Sequence, residues 1–304
     1  MGTMQNERDL PAEKAWVLID CAHQGEVRLA HVVPSKAPVL GRIFRYESSI
    51  PTFTDVLLRF QQESRLSLLD LEPVIAIAGV PNGQSMSIER SRWVISRAGL
   101  FSLFGRPPEV LNEVAAQAWA LRGSLQGVMP VLGNGQPDLT RPGRYVFLTH
   151  EEGLGTAIID VDDRGLCTVL DGEGGQIDFL PIDDAEFALA RSIVRRSEAC
   201  LSWEQVLMAR RNAPDAASAE SNRLFARLLG RFVSNQIYAS GAWSRAFMTG
   251  RLVPALDKGT DFQQGLSHQR PYHRLLSAST VWRVTQAEAV LNGCAAMLAA
   301  GWNT

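Results

Sequence analysis

An acid and an amide stand among glycines in the stretch LDGEGGQIDFLP, residues 170–181. Three glycines flank Glu173, and Gln176 follows three positions later. A backbone without side chains can press closely against a small polar ligand, while Glu and Gln present hydrogen-bond acceptors and donors. Sugar hydroxyls suit such groups because each hydroxyl both donates and accepts. The alternative interpretation is a plain glycine-rich hairpin turn with a surface glutamate.

A second polar pair, Asn112 and Glu113, stands in VLNEVAAQ, residues 110–117, where a strand pattern changes into a helix pattern. Side chains at such a junction lie at the mouth of an α/β sheet, the usual crevice for ligands. A carboxylate there can take a hydroxyl proton as a general base. The alternative makes Asn112 a helix N-cap and Glu113 a stabilising charge in the first turn.

A loop between two strand-like runs lies in FLTHEEGLGTAIIDVDDRG, residues 147–165. Gly153 and Gly155 permit positive φ and close backbone approach, as in loops that point N–H groups at a phosphate. The same loop carries Glu151 and Glu152. Each carboxylate within about 5 Å of a triphosphate costs on the order of 1 kcal/mol per charge. The loop therefore has the shape of a phosphate loop but the wrong charge, unless Mg²⁺ neutralises the glutamates.

The whole chain has ordinary globular composition: 304 residues, 46% apolar and 20% charged. This length suits one large or two moderate domains. A net charge of −2 implies no bulk attraction to nucleic acid or to an anionic membrane. No apolar run reaches the ~20 residues that span a bilayer, and the N-terminal residues lack the apolar core of a signal peptide. We therefore expect neither a nucleic-acid partner nor a membrane partner.

The four cysteines form no C-x-x-C pair, so a zinc site is not expected. Free thiols are typical of a cytoplasmic protein, which is the predicted location.

The elements that must position the polar residues are of mixed α/β type. Apolar runs predict buried strands at 15–22 and 73–80, and a helical period predicts a helix at 52–64. Residues 122–143 are rich in Gly and Pro and are predicted to form a loop. From about residue 183 the pattern is mainly helical. EVRLAHVV alternates weakly and is predicted to pair with the first strand as a hairpin. Further strands are predicted in RYVFLTH, in GTAIIDVDD and at the start of WSRAFMTGRLVP.

Seven segments, in order, resemble the bacterial glucokinase family. They read VIAIAGVPNG with RSRWVIS, VLNEVAAQAWAL, EEGLGTAII, GEGGQIDFLP, SWEQVL, LLGRFVSNQI and TGRLVP, and the resemblance covers about residues 15–300. It implies an α/β fold of the two-domain actin-like ATPase/hexokinase type, with an interdomain cleft that closes on sugar and ATP. It also implies transfer of the γ-phosphoryl group of MgATP to the 6-hydroxyl of glucose, the first step of glycolysis.

The resemblance implies sugar-binding roles for retained residues. Asn112 matches the Asn of the family's N-D pair, Glu173 matches the Glu of its G-E-G-G-H motif, and Glu204 matches the Glu of its S-x-E-R-V-L motif.

Other sugar-side positions are changed. Glu113 replaces the catalytic Asp and carries its carboxylate one methylene further, and a base misplaced by about 1 Å can lose about a hundredfold in rate. Gln176 replaces the family's His, while Glu89 and Arg90 replace a T-N pair. The sugar site is thus partly retained.

The nucleotide side departs further from the family. Asp20 matches the Asp of D-I-G-G-T-N, but the glycine pair and the threonine are absent from DCAHQGE. The second phosphate motif, G-x-G-T-G-L-G, reads THEEGLG here and keeps Gly153 and Gly155. Gly250 is retained from the G-G pair on the adenosine side. These changes imply an eroded ATP site.

The resemblance also predicts the domain organisation. A small α/β domain takes residues 12–111 plus 288–304, and a large α/β domain with a helical C-terminal part takes 112–287. The helices near 217–240 are apolar on more than one face, and family members often dimerise, so we predict a homodimer.

Three functions are consistent with these residues. The favoured one is a glucokinase-like pseudokinase that binds a hexose or a related polyol but is catalytically weak or inactive. The first alternative is an active, divergent hexose kinase that uses MgATP, with Glu113 as general base. The second is a regulatory or interaction module that keeps only the fold.

Overall fold

The computed structural model describes residues 15–22, 25–81, 83–88, 93–151, 153–194, 200–211, 218–243, 245–250, 260–268 and 271–301. The chain divides into two compact units. The first unit holds Met1–Ala116 and Val290–Thr304, and the second holds Gln117–Ala289.

The first unit is built on a sheet that has five strands within the described residues, in the order β3-β2-β1-β4-β7. Strand β1 pairs antiparallel with β2 and parallel with β4, and β4 pairs parallel with β7. The strands are β1 (Ala15–Asp20), β2 (Glu26–Val32), β3 (Ile43–Glu47), β4 (Leu71–Ile77), the small ribbon β5 (Ser85–Ser87) and β6 (Val94–Ser96), and β7 (Glu109–Asn112).

The second unit is built on a sheet with six strands in the described part, in the order β11-β10-β9-β12-β13-β8. The strands are β8 (Val128–Leu132), β9 (Gly143–His150), β10 (Leu154–Val161), β11 (Cys167–Gly172), β12 (Arg245–Gly250) and β13 (Thr280–Val284). The prediction of a loop throughout 122–143 is wrong, because β8 lies inside it and pairs antiparallel with β13.

The first five strands of this second order repeat the topology of the first sheet. In both sheets a central strand, β1 or β9, has an antiparallel hairpin partner on one side and two successive parallel strands on the other. The hairpins β1–β2 and β9–β10 therefore occupy corresponding places. They are the two segments that resemble phosphate loops.

Helices cover these sheets. They are α1 (Phe53–Ser64), α2 (Arg97–Phe104), α3 (Glu113–Gly123), α4 (Asp184–Ile193), α5 (Trp203–Arg211), α6 (Ala219–Ser240), α7 (Thr260–Leu266), α8 (His273–Ser277) and α9 (Ala289–Gly301). Within the described ranges, no helix combines the length and the apolar character that a membrane crossing requires.

Helix α1 shows why these residues form helices where they do. The Thr52 hydroxyl accepts from the Asp55 backbone N–H at 3.1 Å, and the Asp55 carboxylate accepts from the Thr52 backbone N–H at 3.1 Å. This capping box satisfies two donors at the helix start. The helix ends at Arg65, which adopts a left-handed conformation. The buried face is the predicted apolar one: Phe53, Val56, Leu57 and Phe60.

Helix α6 forms the centre of the second unit's core. Its apolar residues on several faces are buried against the sheet and the neighbouring helices, which explains why the sequence there is apolar all round. The core around it includes Val146, Leu148, Trp203, Val206, Leu207, Phe225, Leu228, Leu229, Phe232, Val233, Ile237 and Phe262.

Candidate functional site

The turn that carries Glu173 and Gln176 is fastened to β10 by one threonine. The Thr156 hydroxyl accepts from the Gly174 N–H at 3.0 Å and donates to the Gly172 carbonyl oxygen at 2.7 Å. One side chain thus binds the backbone on both sides of Glu173. The Glu173 and Gln176 side chains are exposed, so a polar ligand can reach them from solvent.

The two central glycines of this turn are closely packed. A Cβ on Gly175 would lie 2.2 Å from the Leu154 carbonyl oxygen, so the backbone of β10 leaves no room for a side chain there. A Cβ on Gly174 would lie 2.6 Å from Oε1 of Gln236 on α6, whose side chain would have to shift. Packing onto β10 therefore explains Gly175, beside any role of the turn in ligand binding.

A short ladder brings the second half of the candidate sugar site to this turn. Segments 177–179 and 201–203 pair antiparallel: the Phe179 N–H donates to the Leu201 carbonyl at 2.6 Å and the Trp203 N–H donates to the Ile177 carbonyl at 3.0 Å. Gln176 directly precedes one segment and Glu204 directly follows the other. The ladder consequently places Gln176 and Glu204 at the same end.

Glu204 also contacts the β9–β10 hairpin. Its Oε2 accepts from the Leu154 backbone N–H at 2.8 Å, and a Cβ on Gly153 would lie 3.0 Å from the same oxygen. A carboxylate of the chain itself thus accepts a hydrogen bond from the backbone of the segment that resembles the second phosphate loop. Glu151, half-buried, adds a further carboxylate to this hairpin.

The same turn end of this hairpin is closely packed against β12. Gly155 lies within β10 opposite Thr149, and Gly250 pairs with His150. Gly250 has φ +121°, and a Cβ there would lie 2.3 Å from the His150 carbonyl oxygen. The retained Gly250 is therefore explained by backbone contact with β9.

In the first unit, Asp20 lies fully buried at the end of β1 and forms an ion pair with Arg28 across the β1–β2 hairpin. The N–H groups that follow are also engaged: Cys21 donates to the Ala76 carbonyl at 2.9 Å, and Ala22 donates to Oδ1 of Asp20 at 2.9 Å. Burial, with the charge of Asp20 as a second cause, raises the pKa of the Cys21 thiol. The Asp20 carboxylate and the backbone donors of Cys21 and Ala22 at this strand end therefore have partners within the chain.

Asn112 caps α3. Its Oδ1 accepts from the Val114 N–H at 2.7 Å, and its Nδ2 donates to the Gly79 carbonyl at 3.0 Å. Glu113, half-buried, is the first residue of the helix. The two residues thus stand at the carboxyl end of β7, as expected, and Asn112 has the structural role that was the alternative interpretation. The cap fixes the backbone position from which the Glu113 side chain extends.

Two candidate residues, Glu89 and Arg90, lie outside the described residues.

Sequence reasoning missed Thr156 and the buried pair of Arg231 and Glu186. An arginine inside the apolar run LLGRFV was the available signal for the pair, because a buried charge requires a partner. Thr156 had no distinguishing signal among the residues of its strand.

The arrangement can bind hydroxyl groups more readily than phosphate. On the second unit, an exposed acid, an exposed amide and a half-buried acid supply acceptors and donors around a bare backbone. The donors at positions 21, 22 and 154 already have acceptors within the chain. Two units whose sheets share one repeated topology are typical of the two-domain actin-like ATPase fold.

The family model described as Glucokinase matches residues 26–211, and the chain belongs to the glucokinase family. A similar relative is the Glucokinase of Xanthomonas oryzae pv. oryzae (strain MAFF 311018), 28% identical over 260 residues that cover 73% of this chain and 76% of the relative.

Solved structures of related proteins show the same fold. The glucokinase from an Antarctic psychrotroph aligns with a TM-score of 0.72 at 18% identity, covering 94% of this chain and 98% of that chain. A ROK family glucokinase from Streptomyces griseus, in complex with glucose and AMPPNP, aligns with a TM-score of 0.53 at 17% identity, covering 93% and 98%. The α/β fold of the actin-like ATPase type, predicted from sequence, is confirmed.

Proposed function

We propose that this chain is a sugar-binding member of the glucokinase family with weak or absent phosphotransferase activity. Its ligand is a hexose or a related polyol, held on the second unit by the Glu173–Gln176 turn and Glu204. Asn112 and Glu113, in the first unit, keep the sugar-side roles that the family resemblance implies. The resemblance to glucokinases and the glucose-bound relative from S. griseus support the ligand class.

One observation carries the proposal of weak catalysis. The backbone N–H groups of Cys21, Ala22 and Leu154, in the two turns that resemble phosphate loops, donate to acceptors of the chain itself. Phosphoryl transfer depends almost entirely on positioning and electrostatic stabilisation of the phosphates. Donors that are already engaged offer neither.

The charges in the two turns support the same conclusion. The Asp20 carboxylate is bound by Arg28, so it faces a cation of its own chain. The Leu154 N–H donates to the Glu204 carboxylate, and this negative charge would repel a phosphate at that position. The described residues of these turns therefore do not fit the phosphates of ATP.

An active, divergent hexose kinase is the second candidate. It is favoured by Glu113, whose half-buried carboxylate stands at the first residue of α3, where the family has its catalytic Asp. Relatives such as that from X. oryzae bear the name Glucokinase. In this candidate Glu113 would take the proton of the sugar hydroxyl, and MgATP would be the phosphoryl donor.

The test is a thermal-shift titration of one sample with glucose and then with MgATP, followed by a coupled assay for glucose 6-phosphate. A ligand that binds the folded state raises the melting temperature by mass action. We expect a shift with glucose, no further shift with MgATP, and turnover near the background. Glu173→Gln should weaken the glucose shift, while Glu220→Gln, at an exposed position on α6, should leave it unchanged.

Robust turnover that Glu113→Ala abolishes would replace the proposal with the second candidate. A flat response to every monosaccharide would leave a regulatory or interaction module on the same fold.

The four cysteines, all within the described residues, are free thiols. They support a reducing compartment, and we propose the cytoplasm.

A further inference from the structure

We propose that Arg231, on α6, is a positioning residue of the sugar site: it holds segment 177–182 in place and thereby sets the Glu173–Gln176 turn against Glu204. The inference deepens the proposed function and rests on it for the identity of the ligand. The geometry of the segment itself is independent of any ligand.

The Arg231 guanidinium is bound on two sides. One nitrogen forms an ion pair with Oε2 of Glu186 on α4, and the other, Nη2, donates to the Leu180 carbonyl oxygen at 2.8 Å. The arginine is 5% exposed and Glu186 is fully buried. Hydrogen bonds to charged groups in such surroundings are stronger than neutral ones. The contact to Leu180 therefore fixes the backbone of the segment directly.

Two aromatic rings complete the surroundings of the guanidinium. Its central carbon lies 5.6 Å from the ring centroid of Phe179 and 5.1 Å from that of Trp203. The two rings contact each other edge to face, with centroids 4.8 Å apart. The two distances from the guanidinium to the rings are within the range of cation–π attraction. Arg231 thus packs on one residue from each segment of the 177–179/201–203 ladder.

Glu186 extends the anchor along the same segment. Its Oε2 also accepts from the Ile182 backbone N–H at 3.0 Å. Segment 177–182 is therefore bound at Phe179, Leu180 and Ile182 by the Arg231–Glu186 pair. Since Gln176 directly precedes this segment and Glu204 directly follows Trp203, a change at Arg231 moves both halves of the candidate sugar site.

The neighbouring Arg227 offers a matched control. It lies one turn earlier on α6 and pairs with Asp183 at the start of α4 at 2.9 Å, with a side chain that is 34% exposed. It joins the same two helices, but its ion pair is with Asp183 and not with segment 177–182. Replacing either arginine with lysine keeps the charge and removes the planar fork of donors.

The experiment compares Arg231→Lys with Arg227→Lys. Hydrogen exchange of the Gln176, Phe179 and Trp203 amides is measured without sugar, and glucose Kd is measured by calorimetry at a temperature where every variant is folded. A lysine ammonium cannot pair with Glu186, reach the Leu180 carbonyl and cover two rings at once. We expect faster exchange and a Kd weaker by about tenfold or more in Arg231→Lys, with wild-type values in Arg227→Lys.

Should Arg231→Lys fail to fold, the double variant Arg231→Met with Glu186→Gln removes both buried charges while keeping an acceptor for Ile182. Loss of both partners is far milder for folding than loss of one, and the same two measurements apply. Exchange that matches the Arg227→Lys control, or a Kd within about twofold of it, would overturn the proposal. A wild-type chain without sugar affinity would end the proposed function, and the exchange comparison alone would then decide the role of Arg231.

Discussion

Gly250 illustrates how one residue at the edge of the candidate site is determined by its backbone. It has φ +121° and a Cβ would lie 2.3 Å from the His150 carbonyl oxygen. We predict that Gly250→Ala lowers the free energy of unfolding by at least about 1–3 kcal/mol, since strained backbone alone costs that much. Urea unfolding measures the change.

Gly25→Ala is the control for this prediction. Gly25 has φ +80° with nothing within 4 Å of a Cβ, so alanine there incurs only the left-handed conformation, roughly 1–2 kcal/mol. The difference between the two variants isolates the contact with His150. Equal destabilisation would show that the contact relaxes without cost.

At the residue scale, Glu173 and Glu113 were predicted from local patterns and Glu204 from the family resemblance, whereas their contacts were not predictable. Glu204 binds the N–H of Leu154, 50 positions away, and Arg231 pairs with Glu186, 45 positions away. Patterns of propensity and period are local, so they contain no information on such partners. Asn112 was predictable as a cap because capping acts within a few residues.

At the element scale, local signals account for what was predicted correctly. Helix α1 carries its capping box within four residues, and the change from β7 to α3 at Asn112 was predicted where it occurs. Strand β8 was missed because Gly and Pro surround it and Pro130 lies inside it. Proline is tolerated there since β8 is an edge strand that pairs only with β13 among the described strands.

The link between α5 and the β9–β10 hairpin yields a prediction at this scale. Glu204→Ala leaves the Leu154 N–H without its acceptor, which costs about 1–3 kcal/mol for a buried donor. Glu204→Gln retains an acceptor and should cost less. Hydrogen exchange of the Leu154 amide should accelerate in the alanine variant most, with Glu220→Ala as an exposed control on α6. Equal protection of Leu154 in all three variants would contradict the link.

At the scale of the whole molecule, the repeated sheet topology gives the two hairpins equivalent positions. Asp20 ends β1 and His150 ends β9, the central strand of each sheet. In each hairpin, backbone donors have acceptors within the chain. Because backbone donors are engaged in both equivalent turns, the two turns together support weak phosphate binding more strongly than one turn alone would.

The burial of α6 changes the argument for a dimer. Its apolar faces are covered within the second unit, so they supply no reason for a second copy. The homodimer stays a prediction that rests on the family resemblance. The domain division at 12–111 plus 288–304 and 112–287 likewise stays a prediction.

Two shielded thiols, the half-buried Cys167 and the buried Cys294, predict how the stability of the whole molecule depends on pH. Burial raises the pKa of Cys167 from 9.0 to about 11 and raises the pKa of Cys294 as well. Above pH 9 the unfolded chain therefore releases thiol protons that the folded chain retains. Each such thiol lowers the free energy of unfolding by up to about 1.4 kcal/mol per pH unit.

For Cys167 this loss begins near pH 9 and ends near pH 11, where the folded thiol also ionises. We predict that urea unfolding shows falling stability across this window, and that Cys167→Ser makes the decline shallower because serine does not ionise there. Cys200, whose side chain is exposed, provides the matched control: Cys200→Ser should leave the slope as it is. A slope that Cys167→Ser does not change would show that other groups cause the alkaline loss.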